Sequence, residues 1–395
     1  MKVLHVIPSI SLARGGPSLA VLDLVKAIRK SNIDVEIATT NDDGVNLLDI
    51  PLNQHLFYQG IPIYFFEKNF LSFDPLKEFT ISIPFTKWLW ENICHYDLIH
   101  VHALFSYTCT VTMIIANYYH VPYILTPHGL LCHWSLQQAR LKKRLYLNLI
   151  EYYNLNQAKA IHFTDQQEQE EVKSLKLSPK TVQIPLGIEP VTTIKDASNK
   201  LRHWLEIPQN TAIILFLSRL HPKKGLDYLI EALGKLHSDL SFHLIIAGDG
   251  DDTYKRILNQ YLEKSNLTEI THLVGFVEGE KKALLLQGSD LFALTSHSEN
   301  FGIVVLEALS AGLPILLTPG VALAQTIKKY QLGYVADLDS NRIAEVIQQF
   351  LKNPQQGKEM GKRGKAFVQQ NYSWDQIALK MISIYKEIIN QQFKS

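Results

Sequence analysis

Two glutamates, Glu299 and Glu307, stand eight positions apart in Ser296-His297-Ser298-Glu299-Asn300-Phe301-Gly302-Ile303-Val304-Val305-Leu306-Glu307-Ala308-Leu309. The apolar run 291–294 reads as a strand, which puts Glu299 on the following loop and Glu307 in the second turn of a helix beginning near Gly302. A carboxylate on the flank of so apolar a helix needs a partner. The pair can bracket one ligand, while the N–H groups of Asn300, Phe301, Gly302 and Ile303 at the helix start suit an anion. A second constellation, Ser218-Arg219-Leu220-His221-Pro222-Lys223-Lys224-Gly225, follows a buried strand and precedes a helix. Cations there oppose the helix dipole, so Arg219, Lys223 and Lys224 ask for a compensating anion, and a diphosphate would serve. Alone, the segment also reads as an ordinary solvated basic turn. A third, Ser11-Leu12-Ala13-Arg14-Gly15-Gly16-Pro17, lies between strand and helix and reads equally as an anion cradle or as a tight turn.

Two sets of metal-ligand type carry less. Asp249-Gly250-Asp251 has the D-x-D form of a metal-dependent transferase, but its place between a strand and a helix is better explained as a turn plus N-cap. His100-Val101-His102 puts two imidazoles on one face of a strand, yet no third ligand is evident, and core or cleft histidines fit better. No metal and no cofactor is expected.

These residues need elements to position them. Strand-like runs at 2–7, 34–39, 62–66, 97–101, 122–126 and 160–163 alternate with helical patterns such as 17–30. The pattern restarts with strands at 211–217, 242–247, 271–274, 291–294 and 314–317 and helices near 224–238, 252–264, 279–287 and 302–311. Continuous apolar strands separated by helices imply parallel sheets covered on both faces. The expectation is an α/β chain of two doubly wound, Rossmann-like domains, 1–190 and 191–372, with a ligand cleft between facing strand ends and a linker at 185–210. A last helix, 373–395, would bury Trp374, Ile377, Met381 and Tyr385.

Composition agrees. The chain has 395 residues, 46% hydrophobic and 19% charged, with a net charge of +1. Single cores stop growing near about 250–300 residues, so two domains are expected. The near-neutral balance excludes disorder and argues against nucleic acid as a partner. Cys94, Cys109 and Cys132 cannot form a disulfide framework, which points to a reduced, cytoplasmic chain. The opening apolar run stops at Pro8, too short for a signal peptide. The stretch 98–139 lacks any Asp, Glu, Lys or Arg, but His100, His102, Asn117, His120, Pro122, Pro127 and His128 interrupt every window long enough to span a membrane. It reads as buried strand–helix–strand. No G-x-G-x-x-G, phosphate-binding loop, G-x-S-x-G or H-E-x-x-H is present, so nicotinamide and phosphate-loop chemistry are unsupported.

The E-x7-E segment from Glu299 to Glu307, with Ser218-Arg219-Leu220 and Lys224-Gly225 before it, resembles the signature of the family-4 retaining glycosyltransferases. Gly15-Gly16, Pro127-His128-Gly129, Gly248-Asp249-Gly250 and Tyr372-x-Trp374 fall in that family's order, so the resemblance covers nearly the whole chain. It implies a GT-B architecture, with the donor held mainly by the second domain and the last helix packed back on the first. It implies that Arg219 and Lys224 bind the donor diphosphate, Glu299 the sugar hydroxyls and Glu307 the ribose. Backbone groups of Asn300, Phe301, Gly302 and Ile303 would line the sugar and phosphates. His128 would contact the sugar, and Gly15, Gly16 and Gly248 would let backbone approach the donor. Gly275, Phe276 and Val277 would receive the base. Glu299, His128, Arg219 and Lys224 are the catalytic expectation. The activity implied is transfer of a hexose-type sugar, with retention, to a glycan or lipid-linked hydroxyl in surface polysaccharide synthesis.

Two departures concern the cleft. The loop Pro319-Gly320-Val321-Ala322-Leu323-Ala324-Gln325 lacks the family's further Glu, and Leu186 stands where Asn is frequent. The rival classes are a non-catalytic nucleotide-sugar binder and a GT-B epimerase or phosphorylase. The intact Arg219, Lys224, Glu299 and Glu307 argue against the first, and no acid–base or phosphate machinery supports the second. Arg140, Lys142, Lys143 and Arg144 with Leu141, Leu145 and Leu149 form a basic amphipathic stretch, read either as a solvated face or as peripheral contact with the cytoplasmic membrane face. Phe65, Phe66, Phe70 and Phe73 read equally as an acceptor groove or as loop packing.

Overall fold

The computed structural model describes all residues except 12, 13, 45, 70–78, 139 and 393–395, together with all side chains of the described residues but those of Arg140 and Gln392. Phe70 and Phe73 therefore lie outside the described residues. The chain divides into two compact units, Met1–Gly187 with Trp374–Ser395, and Ile188–Ser373.

The first unit is built on β1 (Lys2–Val6), β2 (Asp34–Thr40), β3 (Asp42–Asp43), β4 (Asn46–Leu47), β5 (His55–Tyr58), β6 (Ile61–Phe66), β7 (Leu98–His102), β8 (Tyr123–Thr126), β9 (Ala160–Phe163) and β10 (Lys180–Gln183). Eight of them form one sheet in the order β10-β9-β8-β7-β1-β2-β6-β5, and β3 pairs with β4. Only the hairpin β5–β6 breaks the parallel run of that sheet. Its helices are α1 (Gly16–Lys30), α2 (Ile83–Asn92), α3 (Tyr107–Tyr118), α4 (His133–Gln137), α5 (Arg140–Tyr146), α6 (Tyr152–Gln157) and α7 (Gln166–Val172).

The uncharged stretch 98–139 becomes β7, α3, β8 and α4, whose strands are wholly buried. No helix of the described residues is long and apolar enough to cross a membrane. Phe65 and Phe66 are buried on β6, which lies between β2 and β5 with side chains covered on both faces, and this removes them from any acceptor groove.

The second unit contains β11 (Ala212–Leu217), β12 (Phe242–Ala247), β13 (Thr271–Gly275), β14 (Leu291–Leu294), β15 (Ile315–Leu317) and β16 (Tyr334–Val335) in the parallel order β13-β12-β11-β14-β15-β16. Its helices are α8 (Ala197–Leu205), α9 (Leu226–Gly234), α10 (Asp252–Lys264), α11 (Gly279–Gly288), α12 (Ile303–Ala311), α13 (Ala324–Tyr330), α14 (Ser340–Lys352) and α15 (Pro354–Asn371).

Two sequence expectations need correction here. The segment 185–210 is not a plain linker, because α8 lies within it and packs on α11. The reason is an apolar edge: Ala197 and Leu201 are buried, and Gly288 on α11 leaves no room for a side chain beneath Leu201. The helix expected over 224–238 starts later. Pro222–Lys224 is a single 3-10 turn, Gly225 adopts a left-handed conformation (φ 60°), and α9 begins only at Leu226.

The final helix, α16 (Trp374–Gln392), belongs to the first unit and packs on α1. Trp374, Ile377, Met381 and Tyr385 form its buried stripe, as the spacing predicts.

Candidate active site

In the second unit, three loops at the C-terminal ends of parallel strands are tied to one another. The chain leaving β11 runs beside the turn after β12, where Leu220 N–H donates to the Asp249 carbonyl at 2.8 Å. Gly248 and Gly250 permit that approach, since a Cβ on either would collide with the Ser218 or Leu220 carbonyl. The 3-10 turn is then fastened to the chain leaving β14. Thr295 Oγ1 donates to the Gly225 carbonyl at 2.6 Å, and His297 N–H donates to the Lys223 carbonyl at 2.9 Å.

This stitching sets Lys224 against Glu299. The buried ammonium donates to Glu299 Oε2 in a close ion pair. Glu299 is itself pinned through its backbone: its N–H donates to Gly320 O at 2.8 Å, and its carbonyl accepts from Ala322 N–H at 3.1 Å. The loop after β15 lacks the further carboxylate but still positions Glu299. Burial first, then the charges of Arg219 and Lys223, pull Lys224 down to about 7. The Glu299 carboxylate opposes that shift, as a bound anion would. Arg219 is exposed and has no ion-pair partner among the described residues.

Glu307 has the partner that its setting demanded. Lys282 Nζ on α11 donates to its Oε1 at 2.6 Å, with both side chains partly buried. Nothing in the local sequence singled out Lys282. Asn300 and Ile303 are half-buried, Gly302 takes φ 72° at the start of α12, and Phe301 is buried near Tyr372, leaving only its backbone for a ligand. Gly275, the first residue of the expected base site, takes φ 71°, and its carbonyl accepts from Gly248 N–H at 2.7 Å. Phe276 is exposed and Val277 buried, so of the two only Phe276 offers a face to a ligand.

The aspartates of the D-x-D are committed elsewhere. Asp251 caps α10 through the Thr253 and Tyr254 N–H groups, and Asp249 pairs with Lys255 at 2.5 Å.

In the first unit, Gly15 (φ 93°) precedes α1, which opens at Gly16. The loop is anchored by an ion-pair triad, centred on buried Asp42, that sequence reasoning missed: Asp42 accepts from Arg14 Nε at 2.5 Å and from Lys68 Nζ at 2.5 Å. Burial favours the protonated Asp42, yet the hydrogen bonds and charges of Arg14 and Lys68 win and hold its carboxyl below the ordinary value.

His128 follows β8 in a left-handed conformation (φ 52°) and meets His102 through a ring hydrogen bond of 3.2 Å. The expectation that His100 and His102 lack a third neighbour is corrected. His5 on β1 is paired in register with His100 on β7, and ring nitrogens of His5, His100 and His102 lie within 4.8 Å of one another.

The basic stretch 140–144 forms α5, and Leu147–Glu151 continues it as a π-helical turn. Its leucines face outward: Leu141, Leu145 and Leu149 are 84%, 62% and 71% exposed. Lys142 and Arg144 are exposed, while Lys143 bends back to the Ser135 carbonyl at 2.7 Å.

Comparison with known proteins agrees with this geometry. Residues 14–191 match the family described as Glycosyltransferase Family 4, and residues 198–387 match Glycosyl transferases group 1. The chain is 27% identical over 311 residues to the uncharacterized glycosyltransferase MJ1607 of Methanocaldococcus jannaschii, covering 74% of this chain and 75% of that one. It is 23% identical over 387 residues to the D-inositol 3-phosphate glycosyltransferase of Xylanimonas cellulosilytica, covering 94% and 92%. Among solved structures, Anabaena Alr3699/HepE in complex with UDP and glucose superposes with a TM-score of 0.78 at 21% identity, over 98% of this chain and all of that one. Together the two family matches take in most of the chain, and the fold is shared over 98% of it: the protein belongs to the family-4, group 1 glycosyltransferases of GT-B fold.

Proposed function

We propose that the protein transfers a hexose-type sugar, with retention of configuration, from a nucleotide-diphosphate sugar to a hydroxyl of a glycan or lipid-linked acceptor, as a step in surface polysaccharide synthesis. The observation that carries this reading is the buried Lys224 against Glu299, beside exposed Arg219. Cleaving the sugar–phosphate bond leaves a nucleoside diphosphate with growing negative charge. Arg219 and Lys224 would stabilise that charge electrostatically, with the amides at the start of α12 adding dipole. Glu299 would then exchange part of its contact with Lys224 for sugar hydroxyls, and Glu307, steadied by Lys282, would take the ribose. His128 would accept a hydrogen bond from a sugar hydroxyl, and Gly15, Gly16 and Gly248 would give the backbone access that a donor needs.

The reading needs no metal or cofactor. What supports that part is the basic clamp itself and the prior commitment of Asp249 and Asp251 to Lys255 and to the α10 cap. The retaining outcome fits Glu299 as a positioning carboxylate that need form no covalent bond. A cytoplasmic protein, peripheral at the membrane, fits the exposed leucine row with its two exposed cations.

Screening UDP-, GDP- and ADP-sugars for binding, then assaying transfer by the wild type and Glu299→Gln, tests the reading. Loss of transfer with the fold intact is expected. A folded Glu299→Gln protein with wild-type transfer would overturn the donor-site assignment, and binding without any transfer would favour the non-catalytic alternative.

A further inference from the structure

Five histidines of the first unit lie on one continuous hydrogen-bonded path. His128 Nε2 meets His102 Nδ1 at 3.2 Å, and His102 Nε2 meets His5 Nδ1 at 2.9 Å. His5 Nε2 meets the Tyr385 hydroxyl of α16 at 3.1 Å, which in turn meets His100 Nδ1 at 2.6 Å. His100 Nε2 meets Thr126 Oγ1 at 2.7 Å, and Thr126 Oγ1 meets His162 Nδ1 at 2.8 Å. The path ends where His162 Nε2 meets the Ile184 carbonyl at 2.7 Å.

That last contact decides all the others. A carbonyl oxygen only accepts, so His162 must carry its proton on Nε2. Burial keeps the five rings neutral: it pulls His5 and His128 down to about 3 and His162 to about 4, and lowers His100 and His102 well below the ordinary value. A neutral His162 leaves Nδ1 as an acceptor, so the single proton of the Thr126 hydroxyl points to it. Thr126 Oγ1 must then accept from His100 Nε2–H. The same step repeats through Tyr385, which donates to His100 Nδ1 and accepts from His5 Nε2–H. It passes to His102 and finally to His128.

Every donor on the path has an acceptor, and one group is left over. His128 Nδ1 is buried and has no hydrogen-bond partner among the described residues. The complete pairing also accounts for the close nitrogens of His5, His100 and His102 without a metal. Nor is the path a proton conduit, because the Ile184 carbonyl cannot take up a proton at its far end.

We infer that Tyr385, Thr126 and the four histidines behind His128 act as positioning residues that lock His128 in the Nε2–H tautomer and so present Nδ1 as an acceptor for a hydroxyl-bearing ligand. The tautomer assignment stands on the hydrogen bonds between neutral, buried rings; its consequence for sugar binding rests on the function proposed above. The arrangement ties a group in the Pro127-His128-Gly129 turn to the last helix, which supplies the only phenol on the path.

The test is multiple-bond proton–nitrogen NMR on the full chain labelled with 15N-histidine. The His128 signals are assigned by their loss in His128→Asn, a residue tolerant of the left-handed backbone there. In the wild type, His128 is expected to carry its proton on Nε2 alone. Tyr385→Phe removes the phenol, cuts His128, His102 and His5 from their anchor and is expected to give a mixture of His128 tautomers. Thr126→Val cuts the path nearer to Ile184 and is expected to do the same, which keeps the test available should one variant fail to fold. A wild-type His128 protonated on Nδ1, or a tautomer unchanged in the folded variants, overturns the inference. A separate arm adds UDP-, GDP- and ADP-glucose to the wild type and follows the Nδ1 signal. If it stays unmoved while the variants shift the tautomer, the lock stands and the assignment of His128 to the donor sugar falls.

Discussion

Lys224 and Glu299 are 75 residues apart in the chain and form a close, largely buried ion pair in the second unit. The pair is made by backbone contacts on either side of it. Gly225 sits against Thr295, Lys223 is held by His297, and Glu299 is held by Gly320 and Ala322. Breaking such a pair from one side leaves an uncompensated charge. Lys224→Ala is therefore expected to lower transfer by about 10²–10³-fold, the range for a lost electrostatic stabiliser. Circular dichroism should show an unchanged fold. A folded Lys224→Ala protein with near wild-type turnover would remove Lys224 from the site.

The depressed Lys224 gives donor binding a pH dependence. In the free protein its ammonium titrates at about 7 instead of in the ordinary lysine range. A bound diphosphate favours the charged form, so above pH 7 binding must be accompanied by proton uptake. Donor affinity is expected to fall as pH rises above about 7, by up to tenfold per pH unit. Lys224→Arg keeps its charge throughout and should flatten the profile, even if its fork fits less well. Calorimetric titration in buffers of different ionisation enthalpy would detect the proton; its absence at pH 8 would contradict this account.

Metal independence can be checked directly. The clamp is made of side-chain cations, and both D-x-D aspartates are engaged. Transfer is expected to survive EDTA. Activity lost in EDTA and restored by one divalent ion would show that the diphosphate is held differently.

The sheets were legible because a strand buried on both faces leaves an unbroken apolar run, as in β12 (FHLIIA) and β14 (LFAL). The strands β5 and β10 were not, since both lie at the sheet edges: His55–Tyr58 is only partly buried and carries no unbroken apolar run, and Lys180–Gln183 is mostly exposed and polar. α8 hid among prolines and charges because only a narrow edge of it is apolar. In the site, Arg219, Lys224, Glu299 and Glu307 announce themselves by charge in apolar or glycine-rich surroundings. Lys282 does not: it sits on a helix surface, where lysine is the commonest kind of residue, and its meaning comes only from Glu307 across the α11–α12 contact. His5 was silent for a related reason. A single histidine in a strand carries no pattern until β1 is laid beside β7 in register.

The buried histidines also set the acid limit of stability. His5, His128 and His162 titrate near 3 to 4 in the fold, with His100 and His102 also strongly lowered. The unfolded chain protonates them near 6.5. Below that pH the unfolded state therefore binds more protons, and stability falls as pH falls. Glu168 and Asp165 act the other way, being raised by burial to about 7 and about 6, as does Glu151, which is also raised. The five histidines outnumber these three acids, so a net loss is expected below pH 6, about 1.4 kcal/mol per pH unit for each net proton. Thermal melts from pH 7 to pH 4 measure it; a melting temperature that rises on acidification would contradict the buried neutral network.

The leucine row on α5 and the π-helical turn that continues it makes the last prediction. Leu141, Leu145 and Leu149 recur every fourth residue and remain largely in water, which is costly for three large apolar side chains so close together. Lys142 and Arg144 flank them and also face solvent. An anionic bilayer complements both features, burying the leucines at the headgroup boundary while the cations meet phosphate. The protein is expected to sediment with vesicles containing phosphatidylglycerol and far less with phosphatidylcholine alone. Each of Lys142→Glu and Arg144→Glu should weaken binding at least about fivefold, the equivalent of about 1 kcal/mol per cation. Replacing the three leucines by serine should abolish binding while leaving transfer to a soluble acceptor intact, because α5 contributes nothing to the Lys224–Glu299 pair. Equal sedimentation of wild type and the triple serine variant would show that the row faces something other than lipid.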